Sequence, residues 1–227
     1  MKTEAYVSIL QRLATILSVA ILTLSLTATV TGILLAFYYE PAAGAAYNSL
    51  QAINTEVNNG WLIQRLHDLA GNGLIVVSLI QIVVMFLGRK FQRSWLTAWI
   101  SGIFLTLSAI ALGWTAIILD WTELGYWRLN IELGIIDAIP VVGAQLRNIL
   151  TGGGAITTAT VEHLYTIHSY ILSIGAIALS IIHLSALLLQ EKQQKQMQLE
   201  LAENELAANS IEKEDENRLT VAGSNLK

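Results

Sequence analysis

Four stretches stay apolar long enough to cross a bilayer, and polar or turn-forming segments separate them. They run from Leu13 to Phe37, Trp61 to Leu87, Leu96 to Leu119 and Tyr165 to Leu189. A hydrocarbon core about 30 Å thick takes about 20 helical residues to cross. Lipid offers backbone amides no other partner, so each stretch predicts a transmembrane helix. The first ends at Tyr38-Tyr39-Glu40-Pro41, where Pro41 has no amide proton to extend a helix. Residues 42–60 predict a loop. The connection 120–160 is too apolar for a solvated linker. Within it, Val141 to Leu150 predicts a short amphipathic helix at the interface, stopped by Gly152-Gly153-Gly154. A second short helix is expected around Thr158–Leu164.

The pattern therefore predicts an all-α membrane protein: a four-helix transmembrane bundle over residues 1–190, with short amphipathic helices between the third and fourth spans. Residues 191–227 form a polar tail, helical to about Ala208 and disordered from Asn209. No internal repeat is evident. Met1 to Arg12 does not read as a signal peptide, because the apolar run behind it has full spanning length.

Four spans put both termini on one side. Lys2, Arg12, Arg89, Lys90, Arg93, Lys192 and Lys195 fall there, against Arg65, Arg128 and Arg147 opposite. Positive charge collects inside, so both termini are expected in the cytoplasm or stroma. Trp95 and Trp99 would then mark the inner interface, and Trp61, Trp121 and Trp127 the outer one. Composition agrees with a membrane protein: 54% of residues are hydrophobic and 13% charged. The net charge of −4 lies mostly in the tail, and no basic patch suggests nucleic acid. The absence of cysteine excludes disulfides, thiolate-held iron–sulfur clusters and covalent c-type haem.

Two histidines stand out against this background. His67 lies near the outer start of the second span and His168 near the outer start of the fourth. An imidazole entering lipid is costly unless something pairs or uses it. Either one alone could bond a backbone carbonyl. Two at matching depth suit the axial positions of one haem iron. His183 follows His168 by fifteen positions, about 22 Å along a helix and within about 60° of the same face. It suits a second, inner centre, yet its expected partner, fourteen positions after His67, is Gln81, a poor iron ligand. Gly32 and Ser18 on the first span, and Gly102 and Ala116 on the third, repeat the fourteen-residue spacing. Small residues there are ordinarily packing, but they would also admit a flat macrocycle.

These residues, with Gly32-Ile33-Leu34-Leu35-Ala36-Phe37-Tyr38-Tyr39-Glu40-Pro41, Glu56-Val57-Asn58-Asn59-Gly60-Trp61-Leu62-Ile63, Leu124-Gly125-Tyr126-Trp127 and Asp137-Ala138-Ile139-Pro140-Val141-Val142-Gly143, make residues 13–189 resemble the cytochrome b6 / N-terminal cytochrome b family. The resemblance implies a bundle with two stacked b haems. His67 and His168 would ligate the outer one, beside Gly32 and Ala116; position 81 and His183 would ligate the inner one. Several family features are altered. Gln81 replaces a ligand, and Ser18 and Ala116 replace haem-packing glycines. Leu188 replaces a basic residue, and Gln64 replaces an arginine, leaving Arg65 as the nearby cation. Leu24 stands where an extra haem would need cysteine, and Leu119-Asp120-Trp121-Thr122 replaces Leu-Pro-Trp-Asp.

The expectation is one haem b at the outer site, with the inner site lost or holding haem through His183 alone. The expected function is electron transfer in a thylakoid or plasma membrane, with quinol and other electron-transfer subunits as partners in a complex or dimer. By the resemblance, quinol oxidation would also need a three-span subunit and an iron–sulfur protein. A different class stays open: a non-catalytic membrane subunit or assembly protein on the same scaffold. A transporter is the third reading; only Arg65, His67 and Asp68 offer it polar groups within the spans, close to one interface.

Overall fold

The computed structural model describes residues 2–88 and 95–224. In chain order the helices are α1 (Lys2–Ala36), α2 (Ala46–Thr55), α3 (Gly60–Leu87), α4 (Leu96–Leu119), α5 (Glu123–Asp137), α6 (Gly143–Thr151) and α7 (Thr158–Thr166). A π-helical turn (Ile167–Leu172) then leads into α8 (Ser173–Ser224). Four helical segments are long and apolar enough to span a membrane, and the chain is a multi-pass membrane protein. Arg89, Lys90 and Arg93, part of the sidedness expectation, lie outside the described residues.

The four spans form a ring. α1 packs on α3 and α8, and α4 packs on α3 and α8. Thus α3 and α8 face each other across one diagonal, with α1 and α4 on the other. Three apolar layers fill the interior. At the end bearing both termini, Leu10, Ala14, Met85, Trp95 and Leu187 pack together. Ile21, Leu74, Leu105, Ala109 and Ala176 form the middle layer. At the opposite end, here the loop end, Ile118, Leu129, Leu133, Val161 and Leu164 join the bundle to the short helices. The two levels of buried polar chemistry lie between these layers.

Several sequence expectations change. Residues 42–60 are not all loop, because α2 forms there and buries Ala46 and Ile53. Its entry into α3 is tight: a Cβ on Gly60 would stand 1.9 Å from the Ile53 carbonyl oxygen, so only glycine fits. α5 was not expected. It buries Gly125, Leu129 and Leu133 yet exposes Leu124, Ile131 and Ile135, so apolar residues surround it and no single stripe announces a helix. Its start is capped by Thr122, whose Oγ1 accepts from the Gly125 amide at 3.2 Å. The helix expected at Val141–Leu150 is present as α6. Trp95 is 1% exposed and belongs to the interior, not to an interface belt. The tail helix, expected to about Ala208, extends to Ser224: residues 190–222 hold no glycine or proline and are rich in Glu, Gln, Lys and Ala.

Candidate haem site

His67 enters the bundle from α3. Its Nδ1–H donates to the Ala28 carbonyl at 2.9 Å and to Thr31 Oγ1 at 3.2 Å. Thr31 in turn donates to Thr27 O at 2.7 Å, which leaves its lone pairs for the imidazole. His168 stands on the π-helical turn across the diagonal. Its Nδ1–H is bonded to Thr115 Oγ1 at 2.7 Å and to the Leu112 backbone. With Nδ1 protonated in both rings, each Nε2 keeps a lone pair for a metal.

The distance between the rings decides what they can hold. An imidazole nitrogen binds a first-row metal at about 2.0 Å and lies about 1.1 Å from its ring centroid, so two rings on opposite sides of one metal would have centroids about 6.2 Å apart. The His67 and His168 centroids are 6.3 Å apart, with the ring planes at 57°. Among the described residues no cluster of three or more His, Cys, Asp or Glu side chains could hold a metal, so a metal here would need further ligands from outside the protein, which a haem macrocycle would supply. These residues fit haem.

The second level does not. Gln81 Nε2 donates to His183 Nε2 at 3.0 Å and to Ser18 Oγ at 3.2 Å. Two nitrogens on opposite sides of one metal would stand about 4 Å apart, about 1 Å farther than this contact allows. His183 Nδ1–H donates to Ala98 O at 2.9 Å and to Ser101 Oγ at 3.2 Å. Gln81 is 1% exposed and His183 0%. One hydrogen-bonded group thus ties Ser18 on α1, Gln81 on α3, Ser101 on α4 and His183 on α8. Gln81 Oε1 is buried without a partner among the described residues.

The π-helical turn explains a mismatch in spacing. His67 and Gln81 are fourteen residues apart, and His168 and His183 fifteen. A π turn accommodates about one extra residue. It lets α8 present fifteen residues over the same rise that takes fourteen on α1, α3 and α4.

The small residues expected to clear a macrocycle also stand close to the histidine rings. A Cβ on Gly32 would lie 3.0 Å from His67 Cε1, and one on Gly102 would lie 2.9 Å from His183 Cε1. Both glycines admit imidazole edges. Ala116 is half-buried beside Thr115. Arg65 is exposed and stands about 200° around α3 from His67, so it is not on the ligand face. Gln64 is on that face, one turn nearer the loop end, and its Oε1 is buried without a partner among the described residues. The fourth histidine, His163, is structural: its Nδ1–H donates to Ile149 O at 2.9 Å.

The loop end is closed by aromatic and acidic groups. Tyr39 donates to Leu119 O at 2.8 Å and stacks on Tyr165 with centroids 5.6 Å apart. Burial, then nearby Asp68, raises the Asp120 carboxyl to about 6. Trp114 on α4 donates to Glu132 at 2.5 Å, fastening α5 to α4, and Arg128, one turn away on α5, pairs with the same Glu132 at 2.8 Å. An apolar cleft of about 160 Å³ lies between Leu35, Tyr38, Ile53 and Ile63. That is half the roughly 300 Å³ at which small-molecule sites begin.

A family model described as cytochrome b/b6/petB matches residues 2–192. Cytochrome b6 of Oltmannsiellopsis viridis is 32% identical over 153 residues, covering 67% of this chain and 71% of the relative. Cytochrome b6 of Acaryochloris marina is 32% identical over 142 residues, covering 63% of this chain and 66% of the relative. Among solved structures, a chain of a hyperthermophilic respiratory complex III superposes with a TM-score of 0.67 and 22% identity. That match covers 76% of this chain and 47% of the other, and the likeness is one of fold. The chain therefore spans about two-thirds of the length of these curated relatives and about half of the structural neighbour.

Proposed function

The chain belongs to the cytochrome b/b6/petB family of membrane b-type cytochromes, and from this premise we propose that it transfers electrons through a single b haem held between His67 and His168. The observation carrying this reading is the 6.3 Å separation of two imidazoles whose Nδ1 protons are already committed to α1 and α4. When bound, the haem supplies a one-electron ferric/ferrous couple. The chain's own residues fix both imidazole tautomers, leave both Nε2 lone pairs free for the iron, and flank the site with apolar layers on either side.

The Gln81–His183 level holds no second haem in this reading. A haem there would need His183 and Gln81 to part by at least about 1 Å and would break the bonds joining four helices. Electrons then enter and leave near the loop end, instead of crossing the bilayer through this chain. The termini lie in the cytoplasm, by the bias of positive charge. The partners are the bilayer and other electron-transfer subunits. A quinol site would be completed by such a subunit, since the cleft beside Tyr38 is too small alone. One observation favours a second reading, a non-catalytic scaffold: the terminal half of the bundle is closed by hydrogen bonds where its family resemblance implies a cofactor.

The test is a reduced-minus-oxidised absorbance spectrum of the purified protein, with pyridine haemochrome stoichiometry. One haem per chain is expected. Two would overturn the closed second level, and none would favour the scaffold.

A further inference from the structure

The acceptors of the three imidazoles inside the bundle share one short pattern. His67 is held by the Ala28 carbonyl and the Thr31 hydroxyl, followed by Gly32. His168 is held by the Leu112 backbone and the Thr115 hydroxyl, followed by Ala116. His183 is held by the Ala98 carbonyl and the Ser101 hydroxyl, followed by Gly102. Each is a carbonyl at position n, a hydroxyl at n+3 and a small residue at n+4, all on one helix face. On α4 the two copies are fourteen residues apart. The fourth place in this scheme is Ala14, Leu17 and Ser18 on α1. There the hydroxyl at n+3 is missing, Leu17 packs into the terminal apolar layer, and the group opposite is Gln81 instead of histidine.

Resting on the one-haem reading above, we propose that this carbonyl–hydroxyl cradle sets the donor strength of the haem ligands, with Thr31 and Thr115 as positioning residues. The threonine hydroxyls do not idle. Thr115 donates to Ala111 O at 2.9 Å and Leu112 O at 3.0 Å, and Thr31 to Thr27 O at 2.7 Å. Their proton points into their own helix, and their lone pairs meet Nδ1–H. An Nδ1–H shared between a carbonyl and a hydroxyl oxygen makes Nε2 more electron-rich. That favours ferric over ferrous iron and lowers the midpoint potential. The Thr115 bond, at 2.7 Å, is shorter than the Thr31 bond, at 3.2 Å, so His168 is the more strongly tuned ligand.

The experiment compares the full-length protein with Thr115→Val, Thr115→Ser and Thr31→Val. Haem affinity, midpoint potential and the low-spin ferric spectrum are read for each. Thr115→Val is expected to raise the potential and weaken haem binding at least about tenfold, the lower end for lost outer-sphere partners. Thr31→Val should do the same to a smaller extent, and Thr115→Ser should match the wild type. A Thr115→Val protein with unchanged affinity and potential overturns the cradle and leaves the one-haem reading standing. So does equal loss of haem in Thr115→Val and Thr115→Ser, which would make the residue a matter of packing. A wild-type chain with no bis-imidazole signal overturns the one-haem reading and this inference with it.

Discussion

Replacing Gly32 by alanine puts one methyl group against the edge of a ligand. The new Cβ would stand 3.0 Å from His67 Cε1, and ordinary carbon contacts begin about 0.5 Å farther out. The imidazole must retreat by about that much. Its bond to Ala28 O, 2.9 Å in the native chain, and its bond to Thr31 Oγ1, 3.2 Å, then stretch to about 3.4 and 3.7 Å, and the second passes out of hydrogen-bond range. One lost bond and a weakened one cost about 1–2 kcal/mol. In the apoprotein the unligated imidazole is free to turn away from the new methyl, whereas a bound haem would hold it in place, so the cost falls on the haem-bound state and haem binding should fall by up to about 5- to 30-fold. The helix itself gains up to about 1 kcal/mol from alanine, but apoprotein and haem-bound protein share that gain, so it leaves affinity unaffected. Haem titration into the apoprotein measures the loss. Gly175→Ala is the control, because nothing lies within 4 Å of a Cβ there. Native affinity in Gly32→Ala, together with an unshifted spectrum, would refute the contact geometry on which the site is built.

Three further outcomes are expected. His183→Ala should leave the low-spin haem signal intact but lower the melting temperature, because it strips Gln81 Nε2 of a buried acceptor at a cost of about 1–3 kcal/mol; loss of the haem signal would contradict the pairing. Gln81→His combined with Leu17→Thr and Ser18→Gly restores the fourth cradle and should raise haem content above one per chain, further than Gln81→His alone. For Asp120 the folded-state value of about 6 exceeds the ordinary 3.8, so the folded chain holds that proton more tightly. The resulting stability is present below about pH 4 and lost as pH rises through about 6. Screening of this part-exposed carboxyl keeps the change small. Melting temperature against pH in detergent should show that slope in the native protein and its absence in Asp120→Asn.

The four spans were legible because lipid demands long apolar runs, and the histidine pairing because imidazoles in lipid are rare. Both signals survive without knowledge of packing. The connections were less legible. α2 buries two side chains, and α5 is apolar on all sides, facing the bundle with one surface and the membrane boundary with another, so neither writes a 3.6-residue stripe. Arg65 looked close to the ligand in sequence, but two residues along a helix turn the side chain to the far face, where Gln64 does not go. The roles of Thr31 and Thr115 were hidden by distance in the chain: Thr115 and His168 are 53 positions apart. A hint was present in Thr31-Gly32, Ser101-Gly102 and Thr115-Ala116, each a hydroxyl before a small residue at the depth of a histidine. The fifteen-residue spacing on α8 became intelligible only with the π-helical turn.

Low-temperature electron paramagnetic resonance of the oxidised, purified protein bears most directly on whether His67 and His168 share one iron. A single low-spin ferric signal of bis-imidazole type is expected, absent in both His67→Ala and His168→Ala and unchanged in His183→Ala. Persistence of that signal in either of the first two variants, or its loss in the third, would contradict the assignment.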